Sequence, residues 1–420
     1  MEKELTTDEF KNLSKEEYLK CLLGKGCLWD KIICDELNKK HKGDIKAKEI
    51  IFACSIGRLV INKNPYAFNC LVLDRSGAGK DNLVGSVLKL FSKENYETYA
   101  RITPKSLNYL HSMDEEPDYS YNGKILYLKE ITEEVLNNEV MKEFTSGDED
   151  ISTVAVTKQK GAGVDIKKVA GHPCVFATTA TTVPTEEIRN RFNIIKLDLS
   201  SEQTTRTFVK EKEKYDEEIK KFLETLIPYE VEIPNELFNF IVKSFPNKKV
   251  RYRRDFQRLL DFIRAVTIFN QSERKVGEGV LMATPTDYDK AKDIFINAFS
   301  TCADIPLKDI DERIVKAMEK FNAPASAKNI TDELGGIISL QNLYPHLRNL
   351  VAKEILNELT DRVGGYVITN YVLSEEFKDK KPFLLPNYQE DNNDNNDNNN
   401  DNDTNDIIKK DVNIKMGVLQ

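Results

Sequence analysis

The sequence predicts an α/β fold: a sheet with helices on both faces, then a helical region, a compact α-then-β unit and an acidic low-complexity tail. Three observations carry this expectation. The apolar runs FNCLVL, KILYLKEI, HPCVFATTATT and FNIIKLDLS suit buried strands, and helical patterns separate them. The first run leads straight into the turn SGAGK and the helical stretch DNLVGSVLKLF, which is the order strand, glycine turn, helix. The run EDNNDNNDNNNDNDTND has nothing apolar to bury and is expected to be disordered.

Residues 1–48 read as short helices, with helical periodicity in EEYLKCLLGKGCLWDKIICDELNKK. Residues 49–200 hold the α/β core, entered through the helix AKEIIFACSIGRLVI. Within it, ISTVAVTKQKGAGVDIKKVAG reads as a β-hairpin turning near Lys160 and Gly161. Residues 201–305 are expected to be helical, with EQTTRTFVKEKEKYDEEIKKFLETL as one long charged helix. Residues 306–374 form the α-then-β unit and 375–420 the tail. The last stretch, IIKKDVNIKMGVLQ, regains apolar character and suits a docking peptide for a protein partner; a frayed end is the plainer reading.

The chain has 420 residues, 40% of them hydrophobic, enough for a large core and two or three domains. Its net charge of -8 argues against a uniformly basic nucleic-acid binder, although part of that charge lies in the tail. No apolar run reaches the ~18 residues of a membrane span. The opening MEKELTTDEFKNLSKEEY has no apolar signal region, so a cytoplasmic protein without membrane contact is expected. Cys21, Cys27 and Cys34 fall at helical spacing and read as core thiols. The four histidines do not pair at metal spacing, so structural zinc is not expected.

The segment DRSGAGKDNL (74–83) approximates the phosphate loop GxxxxGK followed by Ser or Thr. Gly77 and Gly79 let the N–H groups from Ser76 through Ala78 turn onto phosphate oxygens. The helix that opens with Lys80, Asp81 and Asn82 points its N-terminus at the same anion. Lys80 suits the β- and γ-phosphates of ATP. Asp74 takes the first glycine slot, and Asp81 replaces the hydroxyl that helps to hold Mg²⁺. A carboxylate can ligate that ion, but it repels phosphate when the metal is absent. The strand ILYLKE (125–130) ends in Glu130, suited to polarising a water, with Lys129 where a metal-binding Asp is expected. Asp81 is the candidate to supply the missing carboxylate. A buried strand with a charged end is the plain alternative. In CVFATTATT, Thr178 or Thr179 lies at a strand tip.

The resemblance becomes specific at EIRNRFNIIKLD (187–198). Minichromosome-maintenance (MCM) helicases, which are AAA+ ATPases, carry a trans-acting arginine finger in a similar Ser-Arg-Phe before a strand. Arg191 takes that position, Asn190 replaces the serine, and Arg189 is the alternative finger. YRRDFQRLLDFIRA (252–265) is similar to their sensor 2 helix, which implies Arg254, with Arg253 and Arg258 as alternates. The polar strand tip takes the first sensor position, implying Thr179 or its neighbour, where Asn is commoner. The hairpin holds the place of their presensor hairpin, which implies that Lys158 and Lys160 contact the DNA backbone. An ordinary edge pair with protective lysines is the alternative.

The resemblance covers about residues 50–300. It reads closest to MCM-like ATPases of archaeal and viral mobile elements, whose SEEQT-like segment appears here as SSEQT. The N-terminal DNA-binding barrel of cellular helicases is not expected. The C-terminal unit resembles a winged helix: DERIVKAMEKF, then SAKNITDELG capped by Ser326, a recognition helix whose start Pro345 is expected to break, and the strand pair DRVGGYVIT. Arg348, Lys353 and Arg362 would touch phosphates, or the unit would dock a protein.

Taken together, the resemblance implies a P-loop AAA+ core with a helical lid, assembling as a homo-oligomeric, hexameric ring. ATP and Mg²⁺ are the implied cofactors, and single-stranded or forked DNA the implied partner. The activity would be ATP-driven translocation or unwinding in DNA replication. An initiator or loader is the first alternative, and a non-hydrolysing DNA-binding scaffold the second.

Overall fold

The computed structural model describes residues 15–107, 110–111, 116–147, 151–157, 164–180, 185–208, 213–246, 252–303, 309–321, 323–352, 355–363, 366–374 and 385–388. Helices α1 (Lys15–Gly24) and α2 (Ile45–Gly57) precede the alternating part. That part runs β1 (Cys70–Leu73), α3 (Lys80–Leu88), β2 (Tyr96–Tyr99), β3 (Ile125–Leu128) and α4 (Glu139–Ser146). It continues with the hairpin β4 (Ile151–Thr157) and β5 (Val164–Ala170), β6 (Cys174–Thr179), α5 (Glu186–Arg191) and β7 (Asn193–Ile195).

The central sheet has the order β2-β3-β6-β1-β7, and all its pairings are parallel. Strands β1, β3 and β6 are buried along their whole length, as the continuous apolar runs require. Because β6 lies between β1 and β3, the exits of all three strands share one edge of the sheet. Asn69, fully buried, staples the entry side of β1 to β6 and to the end of α5. Its Oδ1 accepts from Val175 N at 2.8 Å, and its Nδ2 donates to the Pro65 and Arg191 carbonyls at 2.8 and 3.1 Å.

Strand β2 went unread in the sequence. Its residues YETY are half-buried or exposed, an edge strand without an apolar run. The hairpin pairs in register from Ile151↔Ala170 to Thr157↔Val164, and the turn expected near Lys160 and Gly161 lies outside the described residues.

The region 201–305 is less helical than expected. The single long charged helix is instead α6 (Ser201–Arg206) and a separate helix α7 (Glu217–Glu224). Tyr215 is drawn into the core, its hydroxyl donating to Ser86 O at 2.8 Å, and Asp216 caps the new helix through Glu218 N at 3.0 Å. A three-stranded sheet also forms here, from β8 (Glu230–Glu232), β9 (Val276–Gly277) and β10 (Val280–Met282), in the order β8-β10-β9. The long helices are α8 (Tyr252–Phe269) and α9 (Pro285–Ala303). Trp29 packs edge-on against Phe52 of α2 and Phe269 of α8, both at 4.9 Å, which ties the N-terminal segment to this region.

The last unit comprises α10 (Asp309–Met318), β11 (Ala325–Ser326), α11 (Ala327–Glu333), α12 (Leu340–Ala352), β12 (Leu356–Val363) and β13 (Tyr366–Leu373), with sheet order β11-β13-β12. It has its own apolar cluster around Ile330, Leu343, Leu347 and Leu350. Ser326 caps α11 through Asn329 N at 3.2 Å. Pro345 does not break α12; it lies inside it. Leu343, Leu347 and Leu350, all fully buried, hold the helix across the missing N–H. Residues 385–388, expected within the disordered tail, pack on α9 instead: Leu385 is buried and Tyr288 donates to Pro386 O at 2.8 Å. No helix among the described residues is long and apolar enough to cross a membrane.

Candidate nucleotide site

The turn after β1 needs two left-handed residues, and glycine supplies both: Gly77 has φ +82° and Gly79 φ +94°. Gly79 then caps α3. Ser76 and Gly77 are exposed and Ala78 half-buried, while the Lys80 side chain is buried, its Nζ donating to the carbonyls of Asp74 and Arg75 at 2.8 Å each. Asp74, in the first glycine slot, is an anchor. Its Oδ1 accepts from Arg75 N at 2.7 Å and its Oδ2 from Leu197 N, beyond β7, at 3.2 Å.

Asp81 is drawn to the strand exits. Its Oδ1 accepts from the Tyr127 hydroxyl at 2.7 Å and from the Thr178 hydroxyl at 2.8 Å. Thr178 in turn accepts from Glu130 N at 3.0 Å. One chain of hydrogen bonds therefore links the phosphate loop, the tip of β6 and the glutamate beyond β3. Burial first, then the bond to Asp81, pushes the Tyr127 phenol well up, so it stays a donor. Glu130 is exposed with φ +46°, a left-handed conformation for a non-glycine residue at a site of interest. Of the two threonines at the tip, Thr178 makes these contacts; Thr179 is buried, and its carbonyl accepts from Asp74 N at 3.4 Å. Lys129 lies over the Tyr127 ring at 5.7 Å.

Spacing gave no hint of His41. Its Nδ1 is 3.0 Å from Asn82 Nδ2 and its Nε2 2.7 Å from Asp44 Oδ2. Asp44 also accepts from Asp198 N at 2.8 Å and Gln203 Nε2 at 3.0 Å. The first turn of α3 is thus tied to the segment after β7. Tyr127 carried a readable signal: a phenol inside an otherwise apolar strand needs a partner.

The predicted arginines lie elsewhere. Arg191 is buried and paired with Glu187 on its own helix, and its carbonyl is held by Asn69, which precedes β1. Arg258 donates to the Arg189 carbonyl at 3.0 Å. Exposed Arg254 and buried Arg258 both stack on Tyr66, four residues before β1. These groups gather at the entry of β1 and the phosphate loop at its exit. Four residues of strand separate the two by about 13 Å. Lys158, Lys160 and Lys353 lie outside the described residues; Arg348 is exposed on α12.

The family model described as MTBMA_p00010 P-loop domain matches residues 13–243. Among solved structures, the chain is similar to a full-length MCM homolog from Methanopyrus kandleri, at 13% identity and a TM-score of 0.42. That match covers 72% of this chain and 63% of the homolog, so the chain spans under two thirds of its length. It is also similar to the apo C-terminal region of NrS-1, at 15% identity, 82% and 76% coverage and a TM-score of 0.32. Similarity to the Aeropyrum pernix ORC1 protein in complex with DNA is 11% identity, 80% and 92% coverage and a TM-score of 0.24. No curated protein matches the sequence.

Proposed function

We propose that this chain, which belongs to the MTBMA_p00010 P-loop domain family, is an ATPase of the AAA+ type that acts on DNA in replication as a translocase or helicase. One observation carries the reading: the hydrogen-bond chain from Asp81 through Thr178 to Glu130. It gathers a phosphate loop, a polar strand tip and a carboxylate at one sheet edge.

In this reading the backbone N–H groups of residues 76–80 and the Lys80 ammonium hold the phosphates. Lys80 would exchange its bonds to the Asp74 and Arg75 carbonyls for phosphate oxygens. Asp81 Oδ1 is fixed by two hydroxyl donors, leaving Oδ2 to face a Mg²⁺ carried by the phosphates, which needs only one or two protein carboxylates. The ion would neutralise charge on the β- and γ-oxygens. This answers the departure at Lys129, since the carboxylate comes from the loop helix. Glu130 would orient the attacking water and take its proton.

Arg191 and Arg254 would serve a neighbouring copy, because Arg254 and the Arg191 carbonyl lie at the entry of β1, a strand length from the phosphate loop of their own chain. Arg191 would have to leave Glu187 to do so; Arg189 is the alternative. A ring, hexameric by resemblance, would repeat this contact. Lys158 and Lys160, in the segment between β4 and β5, would track the DNA backbone, and the unit 306–374 would act as a winged helix, with Arg348 and Lys353 near DNA or a protein partner.

The test is ATP turnover by the purified chain with and without single-stranded DNA, beside Lys80→Ala and Glu130→Gln. Turnover that rises with DNA and vanishes in both variants supports the motor. Turnover without strand displacement favours the initiator or loader. ATP binding with no turnover above the variants favours the non-hydrolysing scaffold and sinks the enzyme reading.

A further inference from the structure

Tyr66 lies in the loop that enters β1. The guanidinium carbons of Arg254 and Arg258 lie 5.6 and 5.7 Å from its ring centroid, both within range of a cation–π contact. Two residues earlier, Asn64 donates to Asp261 Oδ2 from its side chain at 2.8 Å and its backbone at 3.3 Å. Arg254, Arg258 and Asp261 stand at i, i+4 and i+7, so one face of α8 is fastened to this loop. Asn64 supplies the anchor, and the Tyr66 ring lies under the arginines. The two arginines differ. Arg258 is buried, 3.4 Å from Asp255 Oδ1, and its Nη2 donates to the Arg189 carbonyl. Arg254 is exposed. Burial first, then Asp261, pushes the Tyr66 phenol up, so the ring under the two cations stays neutral.

We propose that Tyr66 is a positioning residue that holds Arg254 extended from the chain, toward the phosphates of nucleotide bound by a neighbouring copy. This rests on the trans-site reading above. A free arginine side chain samples many rotamers, and a stacked one arrives at the phosphate with that freedom already lost. Arg258, fixed by Asp255 and the Arg189 carbonyl, keeps the ring in place and connects it to α5, the helix of Arg191.

The test uses the full chain and compares Tyr66→Phe, which keeps the aromatic face, with Tyr66→Leu, which fills the space without it. ATP turnover with single-stranded DNA and the affinity for a fluorescent ATP analogue are both measured. Tyr66→Leu is expected to lower kcat about 10- to 100-fold, the scale of a misplaced catalytic group, with analogue affinity within about twofold. Tyr66→Phe is expected to keep kcat within about threefold. An equimolar mixture of Tyr66→Leu and Lys80→Ala chains should recover turnover, because the first retains its phosphate loop and the second its stacked arginines. A merely structural defect in the Leu variant would not be rescued by mixing. Wild-type turnover in Tyr66→Leu, equal losses in the Phe and Leu variants, or a mixture no better than the sum of its parts overturns the proposal. An inactive unmodified chain would instead remove the functional reading on which it rests.

Discussion

The Thr178 hydroxyl works in both senses: it accepts from Glu130 N and donates to Asp81 Oδ1. Thr178→Val keeps its shape and removes both bonds, leaving Glu130 N without its acceptor and Asp81 Oδ1 with the Tyr127 hydroxyl alone, at a cost of about 1–3 kcal/mol for the two. Turnover is expected to fall by about 10- to 100-fold, because Glu130 and Asp81 lose their shared support. Thr178→Ser should retain both properties, and equal losses in the two variants, read by urea unfolding and ATP turnover, would refute this account. Lys48 gives a second expectation. It is fully buried on α2, its Nζ donates to Asn38 Oδ1 at 2.5 Å, and burial lowers its pKa to about 8. Below pH 8 both folded and unfolded chains carry the proton, and the buried charge is a constant penalty. Between about 8 and the ordinary lysine value near 10.4 the unfolded chain binds more protons, so stability rises with pH. Lys48→Met should therefore stabilise at pH 7 by on the order of 2–3 kcal/mol, an advantage that shrinks by pH 10. The single tryptophan, Trp29, edge-on against Phe52 of the helix that carries Lys48, reports the unfolding. At this scale the placement of Gly77, Gly79, Lys80 and Glu130 at the strand exits was legible, because it follows from local spacing. The partners of Tyr127 and His41 were not, because the two meet Asp81 and Asn82 across 46 and 41 residues of chain.

Elements were legible where a periodic or continuous apolar signal decides them. Strands β1, β3 and β6 are buried on both faces and announce themselves as runs. Strand β2 is an edge, and YETY reads equally well as a loop. The long charged helix failed for a different reason: helical propensity runs through 202–226, but Tyr215 gains more by burial than the helix gains by continuing. The same override explains α12, where propensity alone would end the helix at Pro345. The ring removes the N–H that would reach the Gln341 carbonyl, and the buried leucines hold the turn. Because Pro345 is exposed, Pro345→Ala should restore that bond without repacking, stabilising α12 by about 1–3 kcal/mol. Slower amide exchange confined to residues 340–352 is the expected reading. Unchanged or faster exchange there would mean that the proline already fits the helix without strain.

At the scale of the whole molecule, the sheet separates two sets of groups that the proposed hydrolysis step would use together. The phosphate loop, Asp81, Thr178 and Glu130 cluster at the strand exits; Tyr66, Arg254, Arg258 and the Arg191 carbonyl cluster at the entry of β1. No side-chain rotation within one chain spans the roughly 13 Å of β1 and the turns beyond it. In the proposed reading the two sets would come together where one copy presents its strand-entry face to the strand-exit edge of the next, a head-to-tail contact that gives a ring when its rotation closes. This has a kinetic consequence that does not depend on which arginine acts. If every site is built from two chains, turnover per chain must depend on protein concentration, since dissociated chains carry incomplete sites. Dilution through the range where sedimentation shows assemblies giving way to monomers should lower specific activity by about 10-fold or more, because a missing arginine finger costs 10³ or more in kcat at each site. Saturating nucleotide should shift that range to lower concentration, since a ligand bridging two copies stabilises their contact. A specific activity that stays level while the protein becomes monomeric would place a complete site within one chain. Arg191 would then be structural, its side chain paired with Glu187 on its own helix and its carbonyl fastening α5 to Asn69.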